Sequence, residues 1–167
     1  MISGTSIFLR PAVREDAKVI LEWENNPEFW PVTETPGPFE INDIRNFIKN
    51  SSDLFGSGQL RMLICLKKDG SPIGALDLFD FNAKEAKAGI GILIGNACHR
   101  NKGIATEAIN TLLGAMYTNL RLKKLECLIF PDNLPSIKLF EKCAFKASGV
   151  VHYKNKKAVR YTYCLNQ

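Results

Sequence analysis

Between Leu60 and Gly95 three apolar runs, Leu60 to Lys67, Pro72 to Phe81 and Lys87 to Gly95, are separated by two short polar breaks, Lys68-Asp69-Gly70-Ser71 and Asn82 to Glu85. Runs of this length joined by Asp-Gly and Asn-led turns commit the chain to an antiparallel meander. Helical spacing flanks it on both sides. Arg14 to Asn25 sets Ala17, Ile20, Leu21 and Trp23 on one stripe and stops at Asn26-Pro27, and Glu40 to Asn50 does the same with Ile41, Ile44, Phe47 and Ile48. Gly103 to Asn119 carries Ile104, Ala108, Ile109, Leu112, Leu113 and Met116 as a buried face, and Pro135 to Cys143 opens on a proline. Ile7-Phe8-Leu9, Lys124 to Phe130, Ala147 to Tyr153 and Ala158 to Leu165 read as further strands. The order β-α-α-β-β-β-α-β-α-β-β predicts an α/β fold, a sheet with helices packed on it and a binding site where neighbouring elements diverge.

The chain has 167 residues, a length that suits one hydrophobic core. Its longest uncharged apolar stretch, Ala88 to Cys98, is far shorter than the ~20 residues that cross a bilayer, and Met1 to Arg10 lacks the charged start and long apolar run of a secretion signal. A cytoplasmic protein with no membrane partner is expected. The five cysteines, Cys65, Cys98, Cys127, Cys143 and Cys164, are widely spaced with no C-x-x-C pair, so they read as reduced, small buried hydrophobes, and no metal site is expected.

Charge is divided along the chain. Residues 1–95 carry 10 basic and 13 acidic side chains, whereas residues 96–167 carry 12 basic and 4 acidic, so the C-terminal portion suits an anionic partner. Nucleic acid is set aside, because no RNA-binding strand or zinc-finger spacing accompanies the basic residues, and Lys154-Asn155-Lys156-Lys157 reads as a solvated turn. The segment Glu28 to Phe39, with Pro31, Pro36, Gly37 and Pro38, is predicted to be mostly loop, and its aromatic side chains Phe29, Trp30 and Phe39 suit it to line something.

Two segments carry chemistry. In Arg100-Asn101-Lys102-Gly103-Ile104-Ala105-Thr106 the small residues let a ligand approach the backbone at a helix start, whose free N–H groups and dipole favour an anion such as phosphate. A strand-to-helix turn asks for a glycine in any case, so this segment alone leaves phosphate binding open. No Walker pattern is present, and Gly89-x-Gly91 lies inside a strand and opens no helix, so neither triphosphate hydrolysis nor dinucleotide binding is supported. The second segment is Asn133-Leu134-Pro135-Ser136-Ile137-Lys138-Leu139-Phe140-Glu141-Lys142-Cys143-Ala144-Phe145.

Together these segments resemble the GNAT superfamily of acetyl-CoA-dependent N-acetyltransferases, whose pattern is [R/Q]-x-x-G-x-[G/A] followed some thirty residues later by N-x-x-S-x-x-[L/V]-[Y/F]-E-[K/R]-x-G-F. Arg100, Gly103 and Ala105 match the first part, and Asn133, Ser136, Leu139, Phe140, Glu141, Lys142 and Phe145 match the second. Leu9-Arg10, Asp16 and Trp23-Glu24-Asn25-Asn26-Pro27 resemble the branch holding ribosomal-protein and spermidine or diamine acetyltransferases. The resemblance implies one domain over residues 1–167, with a mixed, mostly antiparallel central sheet flanked by helices and acetyl-CoA as co-substrate. It implies that backbone groups of Ile92, Leu93 and Ile94 pair with the pantetheine arm and that the amides of Arg100, Asn101, Lys102, Gly103, Ile104, Ala105 and Thr106 hold the pyrophosphate. It implies too that Asn133, Ser136, Phe140 and Lys142 flank the cofactor from the other side. Three residues depart from the pattern: Asn101 and Ala144 stand where glycine is common, and Phe140 stands where many relatives carry a tyrosine taken as the general acid. Cys143, Tyr153 or a water are the substitutes left open.

An amine must be neutral to attack a thioester. With an ammonium pKa near ~10.4, deprotonation at pH 7 costs about 4 to 5 kcal/mol, which a base or a desolvated site has to offset. Candidate bases are Glu34 in the loop and Asp77 and Asp80 on the strand Gly74 to Phe81. On a regular strand Asp77 and Asp80 face opposite sides and do not serve one cavity. His99 and His152 are not assigned a catalytic role. The expected activity is acetyl transfer to a primary amine, either a polyamine, diamine or other small molecule or a protein N-terminus, by direct attack. The alternative is a non-catalytic acyl-CoA-binding module on the same fold. The assembly is left open, a homodimer among the arrangements allowed.

Overall fold

The computed structural model describes residues 1–33 and 37–165. In chain order the elements are β1 (Ile2–Ser3), β2 (Ile7–Pro11), a 3-10 turn (Arg14–Asp16) running into α1 (Ala17–Glu24), α2 (Trp30–Thr33), α3 (Ile41–Asn50), β3 (Ser52–Asp53), α4 (Leu54–Ser57), β4 (Gln59–Leu66), β5 (Pro72–Asn82) and β6 (Lys87–Ile94). A second 3-10 turn (Ala97–His99) leads to α5 (Ile104–Leu120), followed by β7 (Lys124–Ile129), α6 (Leu134–Lys142), β8 (Lys146–Tyr153) and β9 (Lys156–Cys164). The long elements follow the predicted order. What the pattern did not show are the short ones, β1, α2, β3 and α4, each of two to four residues.

One sheet runs β1-β2-β4-β5-β6-β7-β9-β8, with β3 added on β4. Every pairing is antiparallel except β6 with β7. The two faces are covered differently. Leu60, Met62, Ile64, Leu76, Leu78 and Ile90 pack with α5 residues such as Ile109, Leu112 and Met116, while Leu63, Cys65 and Ala75 on the opposite face pack with Ile20 and Trp23 of α1 and Ile44 and Ile48 of α3. Strand β4 is apolar on both faces because it is buried on both faces, and this is why its sequence reads as a continuous run.

Local chemistry sets the element ends. The Glu40 N–H donates to Asp43 Oδ2 at 2.8 Å, fixing the start of α3. Lys154 and Asn155 both adopt positive φ, +47° and +60°, the geometry of a two-residue hairpin turn, so the turn is shorter than the sequence suggested and Lys156 and Lys157 belong to β9. Arg10 grips Asp16 through two bonds of 2.7 and 2.8 Å, and the Val13 amide adds a third at 2.8 Å. Burial works to raise the Asp16 carboxyl, but these donors outweigh it and hold it below the usual carboxylate value. In the first turn of α5, Glu107 accepts from the Ser6 amide at 2.6 Å, the Ser6 hydroxyl at 2.5 Å and the Ile7 amide at 3.2 Å, tying β2 to the helix. Against the opposing effect of burial, these bonds also hold Glu107 below its ordinary value.

Cys65, Cys127 and Cys143 are buried, whereas Cys98 and Cys164 are exposed, so two of the five are not the core residues expected. Among the described residues no helix is long and apolar enough to cross a membrane.

Candidate active site

Strands β6 and β7 pair only from Lys87 to Gly89 against Lys124 to Glu126. Beyond Gly89, β6 continues to Ile94 with β5 alone as partner, and β7 continues to Ile129 with β9 alone. The two neighbours diverge and leave one backbone edge of residues 90–94 without a strand. A cavity of about 1400 Å³ opens in this region. Of the predicted site residues it is lined by Asp77, Asp80, Ile92, Leu93, Asn133, Ser136 and Phe140. Ile94, Lys142 and the whole corner Arg100–Thr106 lie outside its lining, and Glu34 lies outside the described residues.

The corner is built as a helix start. Asn101 and Gly103 adopt φ of +58° and +79°, and a side chain placed on Gly103 would meet no atom within 4 Å. Glycine is therefore demanded at 103 by backbone conformation, and the space above it is open. The first-turn amides of α5 have no carbonyl of their own helix to bond. Arg100 turns away from this corner. Its Nε donates to the Ile94 carbonyl at 3.2 Å, its Nη1 pairs with Glu28 at 2.7 Å, and its guanidinium lies 4.8 Å from the centre of the Phe29 ring.

Helix α6 faces the corner. Asn133 caps it, its side-chain oxygen accepting from the Ser136 amide at 3.3 Å, so the N-x-x-S spacing has a structural use here. At the other end Ala144 sits at φ +64°, the Ala144 amide bonds the Glu141 carbonyl and the Phe145 amide bonds the Phe140 carbonyl, both at 3.0 Å. This is a Schellman closure, completed by edge-on contact of the Phe140 and Phe145 rings at 5.0 Å. Cys143 Sγ points at the Thr106 carbonyl 4.0 Å away, so the end of α6 rests on the start of α5. Burial pushes that thiol up to about 11, and Cys143 does not line the cavity. Tyr153 does, and of the two side-chain substitutes for the missing tyrosine at 140 only its hydroxyl belongs to a cavity-lining residue.

The opposite wall centres on a residue the sequence reading passed over. Arg61 is 8% exposed, donates Nε and Nη2 to the two Asp77 oxygens at 2.7 and 2.8 Å and Nη1 to Glu24 at 2.6 Å, and stacks 4.4 Å from the centre of the Phe47 ring. Burial works against its charge, but the two carboxylates more than compensate, and its pKa lies above the ordinary arginine value. The signal available in the sequence was a lone arginine inside the apolar run of β4. Asp77 is thus held as an acceptor, while Asp80 is exposed and makes no hydrogen bond or ion pair with any described residue. The alternation argument that separated Asp77 from Asp80 fails here. The β5–β6 register shifts between Phe79 and Asn82, Asp80 takes φ +51°, and both carboxylates line the same cavity.

Register also assigns faces, because directly opposed residues share one. Arg61, Asp77 and Gly91 are opposed in turn across β4, β5 and β6, on the side where Leu63 and Ala75 meet α1 and α3. Gly89 opposes Glu126, and Leu128 opposes Arg160, on the face that alternates with Leu125, Cys127 and Ile129 of the α5 core. The acidic wall and the start of α5 therefore lie on opposite faces of the sheet, with the β6–β7 divergence between them.

Comparison with known proteins gives the family and the fold. The family described as an acetyltransferase (GNAT) domain matches residues 6–146. An uncharacterized N-acetyltransferase p20 of Bacillus licheniformis is 30% identical over 87% of this chain and 82% of its own length. Spermidine N(1)-acetyltransferase of Escherichia coli K12 is 26% identical over 89% of this chain and 77% of its own. The crystal structure of spermidine N-acetyltransferase from Vibrio cholerae, in complex with CoA and spermine, shares the fold with a TM-score of 0.82 over 95% of both chains at 21% identity.

Proposed function

Since the chain belongs to the GNAT acetyltransferase family and is an N-acetyltransferase, we propose that it is one catalytic domain over residues 1–167 that works in the cytoplasm and moves the acetyl group of acetyl-CoA to a primary amine of a polyamine, diamine, other small molecule or protein N-terminus. The observation that carries this reading is the divergence of β6 and β7, which joins an open helix-start corner on one face to a carboxylate-lined cavity on the other.

The residues suit the coenzyme. A long arm with amide groups fits an unpaired strand edge, so Ile92, Leu93 and Ile94 would hold the pantetheine. A diphosphate fits the amides of residues 101–106, above Gly103 where nothing obstructs approach, whereas the Arg100 amide already donates to the Ala97 carbonyl at 3.1 Å. Asn133, Ser136, Phe140 and Lys142 would form the facing wall, Phe140 through its buried ring. When bound, the coenzyme supplies an acetyl thioester whose acyl group passes to a neutral amine, with the thiol as leaving group.

The chain's own residues prepare the amine. Two carboxylates around one guanidinium leave the Glu24–Arg61–Asp77 group with net negative charge, which draws an ammonium into the cavity. Asp77 anchors it there. Asp80, with no partner of its own, takes the proton directly or through water. Departure of the thiol, with an ordinary pKa near ~8.5, needs far less help than deprotonation of the amine, so Phe140 in place of tyrosine is tolerated and Tyr153 or water donates the last proton.

Release of free thiol from acetyl-CoA against spermidine, putrescine, amino sugars and basic peptides tests this function. Saturable release with at least one amine is expected, and absence of both turnover and CoA binding overturns it. The lack of a hydroxyl at residue 140 favours one second reading, a CoA-binding module without catalysis. Calorimetry showing tight CoA binding with no transfer to any amine would select it.

A further inference from the structure

The basic C-terminal portion of the chain does not all serve the coenzyme corner. Arg160 on β9 opposes Leu128, on the face alternating with the α5 core, so it shares a face with Asp77 and looks away from the start of α5. Lys156 follows the same alternation along β9 and opposes Tyr153. Arg160, Lys156, Lys157 and Tyr153 all line the cavity that holds Asp77 and Asp80.

Arg160 is half-buried, its guanidinium makes no hydrogen bond and no ion pair within 4.0 Å with any described residue, and its charge reaches Glu126 and Lys87 only from beyond that distance. The neighbouring carboxylate is already engaged, since Glu126 pairs with Lys124 at 2.6 Å and lies 4.0 Å from Lys87, which itself pairs with Glu85 at 2.7 Å. The exposed loop residue Asp132 also lines the cavity, but this end remains predominantly cationic. One cavity thus has an acidic wall at β4–β5 and a basic wall at β9. The walls are separated by three inter-strand spacings, roughly 14 Å between Cα positions before the divergence widens it.

Resting on the acetyl-transfer reading above, we propose that the acceptor is a zwitterion: an amine that docks at Asp77 and carries, at the far end of the molecule, a carboxylate or phosphate that docks on Arg160, with Lys156 further along the same face of β9. A planar guanidinium with free donors is suited to such oxyanions. An extended polyamine would instead bring its second ammonium against this basic wall.

The test compares ω-amino carboxylates of increasing chain length with ω-diamines of the same lengths, and glucosamine 6-phosphate with glucosamine to separate phosphate from carboxylate recognition. At the best length the anion-bearing acceptor is expected to exceed its matched diamine in kcat/KM by roughly 10- to 100-fold, the range of one charge-assisted hydrogen bond. Arg160→Gln is expected to collapse that ratio by raising KM for the anionic acceptor, and Arg160→Lys to restore part of it. Equilibrium binding of the same compounds, with CoA present, reads the contact without turnover. Preference for the diamine, or a ratio unchanged in Arg160→Gln, overturns the anion contact. Thiol release with none of these amines, beside preserved preferential binding of the anionic compounds, overturns acetyl transfer to small amines and leaves the contact standing.

Discussion

Ala144 and Asn101 depart from the family pattern in identity but not in conformation. Both hold a positive φ, +64° and +58°, the region that glycine enters most readily. Asparagine tolerates this region, whereas alanine there brings its Cβ close to the following carbonyl. Ala144→Gly is therefore expected to stabilise the protein by about 1 kcal/mol, read as a shift in urea midpoint. Arg61 is the opposite case, a side chain on which others depend. Arg61→Met removes the cation that Asp77 and Glu24 share among the described residues, and since both carboxylates keep some contact with solvent, a loss of about 1 to 3 kcal/mol is expected from urea unfolding. An unfolding midpoint within experimental scatter of the parent would contradict that role.

At the scale of elements, the first strands are fastened by two carboxylates, Asp16 through Arg10 and Glu107 through Ser6 and Ile7. Both are held below their ordinary values near ~4, so the stability they add is complete above about pH 5 and is lost as pH falls through their folded values. Urea midpoints measured from pH 7 to pH 3 should fall toward acid, and Asp16→Asn with Glu107→Gln should flatten that fall. An equal slope in the double variant would place the acid sensitivity elsewhere. The elements themselves were legible because periodicity and turn residues are local: the meander, the stripe of α3 and the proline-led α6 all lie close to their predicted limits. The bulge at Asp80 was not, because a register shift depends on how β5 meets β6. For the same reason the sequence kept Asp77 and Asp80 apart, although one cavity holds them both.

For the molecule as a whole, the two segments proposed to hold the coenzyme were legible as a spaced motif, and the structure sets that motif on two helices that touch at Cys143 and Thr106. The acceptor side was not. Arg61 and Arg160 are brought to one face only by strand order and Glu24 by the packing of α1 on that face, and β7 reaches the sheet through a crossover that no local pattern reveals. Charge counted by halves pointed to an anionic partner in the C-terminal portion, but the fold divides those charges between opposite faces of the sheet. The central claim is that coenzyme A passes through the β6–β7 divergence. A crystal structure of the protein with CoA tests it most directly: the account predicts the pantetheine arm along residues 90–94 and the diphosphate on the amides of residues 101–106. Coenzyme density at any other place on the molecule would contradict it.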